Sequence, residues 1–271
     1  MIQTRPPPAS QPVTTRDYLS FSALALYTAC PLRYFFKYVT GLPESIVSAS
    51  LVFGSAIHAS LQFHFEELLA GNQPPSRDSL LDAFWDAWNR QDPKSIRFGR
   101  DGGLNEMGAL ADRMLSAFQT SVLARPTGRV IAVEEELRGE LIPGLPDLLA
   151  RVDLIVETDA SLVVTDFKTA RSEWSQEHVA DASGQLLLYH ELAKSLSGGK
   201  ALRLEFAVLT KTRFPKVAIL PVMGDPMRIE RTKKIVERVW KAIEGAHFYP
   251  SPSAMNCPTC PYRKECRAWE G

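Results

Sequence analysis

The chain has 271 residues, 31 of them basic and 31 acidic, with 45% hydrophobic and 23% charged content. That is the composition of a globular protein long enough to bury a full core. Zero net charge excludes a globally basic polypeptide, so any surface for a polyanion must be local. No run of about 18 apolar residues occurs, and no membrane span is expected.

Residues 1–17 are polar and carry Pro6, Pro7 and Pro8. They read as a disordered tail rather than a secretory signal, which implies a cytoplasmic protein. Ser20 or Ser22 then caps an apolar periodic run through Leu24, Leu26 and Tyr27. Pro31 interrupts that run, which predicts two short helices with Cys30 at the joint. Further helices are expected over residues 51–69, 78–89 and 104–123, with a loop from Pro93 to Gly103. Trp85 and Trp88 lie on a helical stripe and read as core. In the second half, residues 129–141 read as a strand, 177–197 as a helix, 202–210 and 216–222 as a strand pair, and 228–245 as a helix. The tail from Tyr249 is rich in Pro and Cys. No phosphate-binding Gly-x-x-x-x-Gly-Lys-Ser/Thr loop occurs, so the chain carries no evident ATPase of its own.

The most informative stretch is Arg151–Glu157, a turn at Thr158–Ser161, and Leu162–Thr169. Both arms read as strands. With Asp159-Ala160 as a two-residue loop, facing positions sum to 319, which sets Asp153 opposite Asp166 with Cβ atoms roughly 5 Å apart. Lys168 points to the same face. Facing carboxylates repel, and a divalent cation bound by oxygen is the natural compensation. A solvated outer face of the hairpin accounts for the same residues.

Other candidates are weaker alone. His58 stands behind Gly54 on an apolar helical stripe and also fits a core histidine. Gln185 and Tyr189 share a helix face. Within the run Glu134-Glu135-Glu136, one of Glu134 or Glu136 is set to face the metal, or the run is a solvated edge. The helix 228–241 carries a local excess of four positive charges, which fits a phosphate backbone or a plain solvated surface. Cys257, Cys260 and Cys266 are spaced to chelate one centre, and Cys30, 227 residues before Cys257, is the one remaining cysteine. A metal held by all four would tie the tail to the first helices. Zn²⁺ and a [4Fe–4S] cluster both fit that spacing.

Taken together, Gly54-Ser-Ala-Ile-His58, Asp153, Asp166-Phe-Lys168 and Gln185-x-x-x-Tyr189 resemble the PD-(D/E)XK nuclease superfamily, in its RecB-like branch. The opening Leu19-Ser-Phe-Ser-Ala-Leu-Ala-Leu-Tyr-Thr-Ala-Cys-Pro31 and the four cysteines resemble the iron–sulfur members of that branch, which include the nuclease domain of AddB and CRISPR-associated RecB-like exonucleases. The resemblance implies an α/β fold with a restriction-endonuclease-like core: a central mixed β-sheet flanked by helices. It also implies a helical N-terminal half (18–125), a catalytic core (126–247) and an Fe–S-binding tail (248–271) within one domain. By position, His58, Asp153, Asp166 and the Phe167 carbonyl would bind Mg²⁺ or Mn²⁺. Lys168 would orient or activate the attacking water, and Gln185 and Tyr189 would support substrate placement. Cys30, Cys257, Cys260 and Cys266 would hold the [4Fe–4S] cluster. The helical insert 73–123 matches no motif of the family. The implied activity is metal-dependent hydrolysis of single-stranded or end-bearing DNA, in repair, recombination or CRISPR- and phage-related processing, with a helicase or a CRISPR integration complex as partner. A non-catalytic DNA-binding scaffold subunit is the rival reading.

Overall fold

In the computed structural model, residues 17–99 and 102–270 are described. The tail expected over residues 1–17 lies outside them except for Asp17, which pairs with Arg138 at 3.3 Å. The chain opens with β1 (Tyr18–Ser20), α1 (Phe21–Ala29), α2 (Pro31–Tyr34) and a π-turn at Phe35–Val39. Ser20 caps α1 by accepting from the Ala23 N–H, and Cys30 sits at the joint before Pro31, as the sequence predicts. Next come β2 (Val47–Ser48), α3 (Ala49–Leu69), α4 (Arg77–Asn89), β3 (Ile96–Arg97) and α5 (Leu104–Gln119). The second half holds β4 (Arg129–Gly139), β5 (Asp147–Glu157), β6 (Ser161–Ala170), α6 (Gln176–Ala182), α7 (Gly184–Ala193), β7 (Ala201–Thr210), β8 (Val217–Val222), α8 (Pro226–Glu244) and α9 (Arg263–Arg267).

Three expectations need correction. Residues 177–197 do not form one helix. They break at Ser183, where the Arg228 guanidinium of α8 donates to the Ala180 carbonyl and, at 2.6 Å, to Ser183 Oγ. The loop after Pro93 contains β3, which pairs in parallel with β2. Helix α5 stops at Gln119, and a separate 3₁₀ turn covers Val122–Ala124.

The main sheet runs β1-β5-β6-β7-β8, with β4 on the other side of β5. It is mixed: β6 and β7 are parallel, whereas β4–β5, β5–β6 and β7–β8 are antiparallel. Helices cover both faces. One core packs α3, α4 and α5 against Leu154, Val156 and Phe167. The other packs α7 against Val152, Val164 and Phe206.

The β5–β6 turn closes with the Thr158 N–H donating to the Ser161 carbonyl at 2.8 Å, and facing residues sum to 319 from Glu157↔Leu162 to Leu154↔Thr165. The ladder stops there. β4 occupies one edge of β5 along most of its length. The opposite edge is shared: β1 pairs with Asp147–Leu149 and β6 with Leu154–Glu157. Residues 150–153 lie in the gap between, while β6 continues alongside β7 as far as Ala170.

Side-chain alternation breaks at the same level. Val152 and Leu154 are two residues apart and would share a face of a regular strand. Instead they enter opposite cores. Val133 and Leu137 of β4 do likewise, and between them Glu134 takes φ +50°. A non-glycine residue in that region marks a local irregularity, here a paired kink in β4 and β5.

Gly128 makes the entry to β4 possible. Its φ is +130°, and a Cβ there would lie 2.5 Å from the Glu157 carbonyl oxygen. Gly128→Ala should destabilise the fold by roughly 1–3 kcal/mol. Urea unfolding checks this, and a variant with the parent's midpoint would refute the constraint.

Candidate active site

The gap in the β5 edge gathers the polar residues predicted from sequence. Asp153 stands at its end, 9% exposed, and Asp166, 3% exposed, is its counterpart on β6. The sum-319 register would set them opposite each other, one step past the last paired position. Asp153 Oδ2 accepts the Phe167 backbone N–H, so a side chain satisfies a donor that β5 does not.

Lys168 points to the same place. Its Nζ lies 2.6 Å from Asp166 Oδ2 and 3.1 Å from Gln185 Oε1. Gln185 Nε2 in turn donates to Tyr189 Oη at 2.8 Å. The predicted pair on α7 therefore reaches the carboxylates through Lys168. Tyr189 stays protonated, its pKa pushed up to about 12 chiefly by burial.

His58 arrives from the other helical layer. Ser48 caps α3. Further along, Gly54 lets the helix approach β6 so closely that a Cβ would lie 3.2 Å from Thr169 Oγ1. While Ile57, Leu61 and Phe65 are fully buried, His58 turns to the cleft with Nδ1 3.8 Å from Asp153 Oδ2. Burial, then the Lys168 charge, lower its pKa to about 4, against a backbone hydrogen bond at Phe167, so the ring is neutral at physiological pH.

The cleft measures about 720 Å³ and is lined by His58, Gln62, Glu134, Arg151, Phe167 and Lys168 among others. Of the glutamate run, Glu134 faces it; Glu136 lies outside and pairs with Arg151. Burial raises the Glu134 carboxyl above its usual range, with Arg151 opposing. Gln62 and Arg151 were not singled out by sequence. Their signal was positional: one helical turn past His58, and two strand residues before Asp153.

The electrostatics suit a cation. Burial raises the Asp153 carboxyl, and the Asp166 charge raises it further. Burial also raises Asp166, against the Lys168 ammonium. Asp166 Oδ2 is buried and, its ion pair with Lys168 aside, accepts no hydrogen bond. Among the described residues, no group of three or more His, Cys, Asp or Glu side chains is already drawn together as a metal cage. Lys168 and the Phe167 N–H lie against the carboxylates instead.

The four cysteines lie in one small region. Cys30, Cys260 and Cys266 pack against Leu32, Phe36 and Tyr262. All four are free thiols, and the Ser253 N–H points at Cys257 Sγ at 3.2 Å. Burial raises the Cys266 thiol, followed by the charges of Cys30, Cys260 and Cys257. Four free thiols gathered in one region are the kind of donor set that a thiolate-binding group takes.

These features define a class: an α/β protein whose mixed sheet opens locally beside a cleft, with two buried carboxylates gathered at the opening and a lysine between them and the cleft. The model of the PD-(D/E)XK nuclease superfamily matches residues 18–267, and the chain belongs to that superfamily. No curated protein matches the chain. Among solved structures, a protein from Eubacterium rectale provisionally named an exonuclease is 16% identical, with 93% of this chain and 88% of that one covered and a TM-score of 0.55. The protein SSO0001 is 15% identical over 83% of this chain and 88% of its own, with a TM-score of 0.37. The first likeness concerns fold alone.

The raised Asp153 carboxyl has a consequence for stability. A carboxyl held protonated by the fold stabilises it below the ordinary carboxylate range, and that contribution is lost as pH rises. In chelator, Asp153→Asn should therefore raise the melting temperature at pH 8 by roughly 3 °C or more and leave it nearly unchanged at pH 4. Equal losses at both pH values would show that Asp153 is not an uncompensated charge.

Proposed function

We propose that the protein is a metal-dependent DNA nuclease of the RecB-like branch, acting as an exonuclease on single-stranded or end-bearing DNA. The observation that carries this reading is the set of Asp153, Asp166 and Lys168 at the opened sheet edge. Asp153 and Asp166, with His58 and the Phe167 carbonyl, are the groups that would hold Mg²⁺ or Mn²⁺. Such an ion supplies a Lewis acid for the scissile phosphate and a water of lowered pKa. Lys168 offers its ammonium to the negative charge that grows on the phosphoryl oxygens during attack. Gln185 holds Lys168 in place, and Tyr189 holds Gln185, so both are positioning residues. His58, being neutral, presents a lone pair rather than a charge.

We further propose that Cys30, Cys257, Cys260 and Cys266 carry a structural [4Fe–4S] cluster, with Zn²⁺ as the rival occupant. Supporting this is the docking of the tail on the first helices. The Leu32 N–H donates to the Tyr249 carbonyl at 3.0 Å, Ser45 Oγ to the Pro261 carbonyl at 2.8 Å, and Tyr262 Oη to the Leu42 carbonyl at 3.0 Å. A helicase or a CRISPR integration complex remains the proposed partner, and the cytoplasm the proposed location.

Purified protein should degrade linear single-stranded DNA with Mn²⁺ and stop when chelator is added. Asp166→Ala or Lys168→Ala should reduce the rate by at least about a thousandfold without unfolding the chain. Cleavage retained by both variants would overturn the assignment. Anaerobically purified protein should contain iron and inorganic sulfide, and Cys257→Ser should lose both together with several degrees of melting temperature. Stoichiometric zinc without iron would instead establish the rival occupant.

A further inference from the structure

Beside the cleft lies a second cavity of about 350 Å³. The two share a wall, since Ser50 and Lys211 line both. Into this cavity come Arg113 from α5, Arg171 just past the end of β6, and Lys211 and Arg213 from the turn after β7. Among the described residues that line it, the one carboxylate is Glu106, which accepts the Gly103 N–H at 2.9 Å and so caps its own helix. In a chain with zero net charge, this is a concentrated local excess. On the basic helix α8, which the sequence offers as a phosphate-backbone surface or a plain solvated helix, Lys233 pairs with Glu191 and Glu230, and Lys241 with Glu237.

The geometry ties the cavity to the cleft. Lys211 Nζ lies 2.8 Å from Ser50 Oγ and 6.0 Å from the Phe53 ring centroid, so it stands fixed at the boundary. Arg171 follows Lys168 by three residues, roughly 10 Å of extended chain. That distance is within reach of a neighbouring phosphate on a single strand. Next in the same turn, Phe214 is 76% exposed beside the Arg213 guanidinium, which lies 5.4 Å from its ring centroid. Exposed aromatic rings of this kind are platforms for unpaired bases.

We infer that this cavity holds a phosphate of the nucleic-acid strand adjacent to the one being cut, and thereby fixes the strand's path through the cleft. The inference rests on the nuclease reading above. A terminal phosphate monoester and an internal phosphodiester both present anionic phosphoryl oxygens, and substrate ends separate them.

The test is binding of fluorescent single-stranded oligonucleotides to the full chain in chelator, across a salt series. The oligonucleotides carry a 5′-phosphate, a 3′-phosphate or hydroxyl ends. Arg113→Ala combined with Arg213→Ala should weaken binding roughly tenfold and flatten the plot of log affinity against log salt by about 0.7 to 1. With Mn²⁺ and saturating substrate, kcat should stay within about twofold while KM rises, and Arg113→Lys with Arg213→Lys should restore binding. A preference for one phosphorylated end that vanishes in the alanine variant assigns a terminal phosphate. Equal weakening on all ends assigns the backbone. Unchanged affinity and slope in the alanine variant overturn the inference, even where the parent cuts DNA. A parent that binds with the stated slope but never cuts sustains the cavity's role and removes the nuclease reading instead.

Discussion

The site depends on one unmade pairing. Strand β5 shares an edge between β1 and β6, and neither partner covers residues 150–153. A buried backbone without partners is costly, so something must occupy the opening. Asp153 does so from β5 by accepting the Phe167 N–H of β6. A continuous ladder there would have carried both aspartates on an ordinary closed face. The paired kink at Glu134 and Asp153, which sends Val133 and Leu137 to opposite cores, is the same opening seen from β4.

Because the opening lies between two helical layers, both reach it. Helix α3 brings His58 from one side, and α7 brings Gln185 and Tyr189 from the other. The chain Tyr189–Gln185–Lys168–Asp166 fixes a flexible lysine whose side chain is 32% exposed. The resulting centre holds two buried carboxylates, a neutral imidazole and one ammonium. Burial raises both carboxyls, and the Asp166 charge raises Asp153 further, against a single ammonium, a balance that a bound cation would relieve.

The tail presents a different problem of closure. Three cysteines near residue 260 meet Cys30 across most of the chain, and loop closure of that length costs entropy. Backbone and hydroxyl hydrogen bonds from Leu32, Ser45 and Tyr262 share that cost, as does the burial of Tyr262 against Phe36 with centroids 5.7 Å apart. The first helices thereby stay close to α8 as well, through Tyr27 and its 2.6 Å bond to the His247 carbonyl.

The amino-acid sequence by itself determined most local elements, because their signals are local: Ser20 before an apolar run, Pro31 inside it, and a Thr-Asp-Ala-Ser turn that sets the sum-319 register. It also brought forward His58, Asp153, Asp166, Lys168 and the four cysteines, since each is a residue type whose burial demands a reason. What it left undetermined involves distant partners. At the break at Ser183, Arg228 comes from the distant α8, and the short β1 and β3 are held by the strands they lie beside. Only tertiary structure decided that Glu134 rather than Glu136 faces the cleft, because a kinked strand no longer obeys the two-residue period. Likewise, Arg113, Arg171 and Arg213 come from three separated segments, and no spacing along the chain announces that their charges converge.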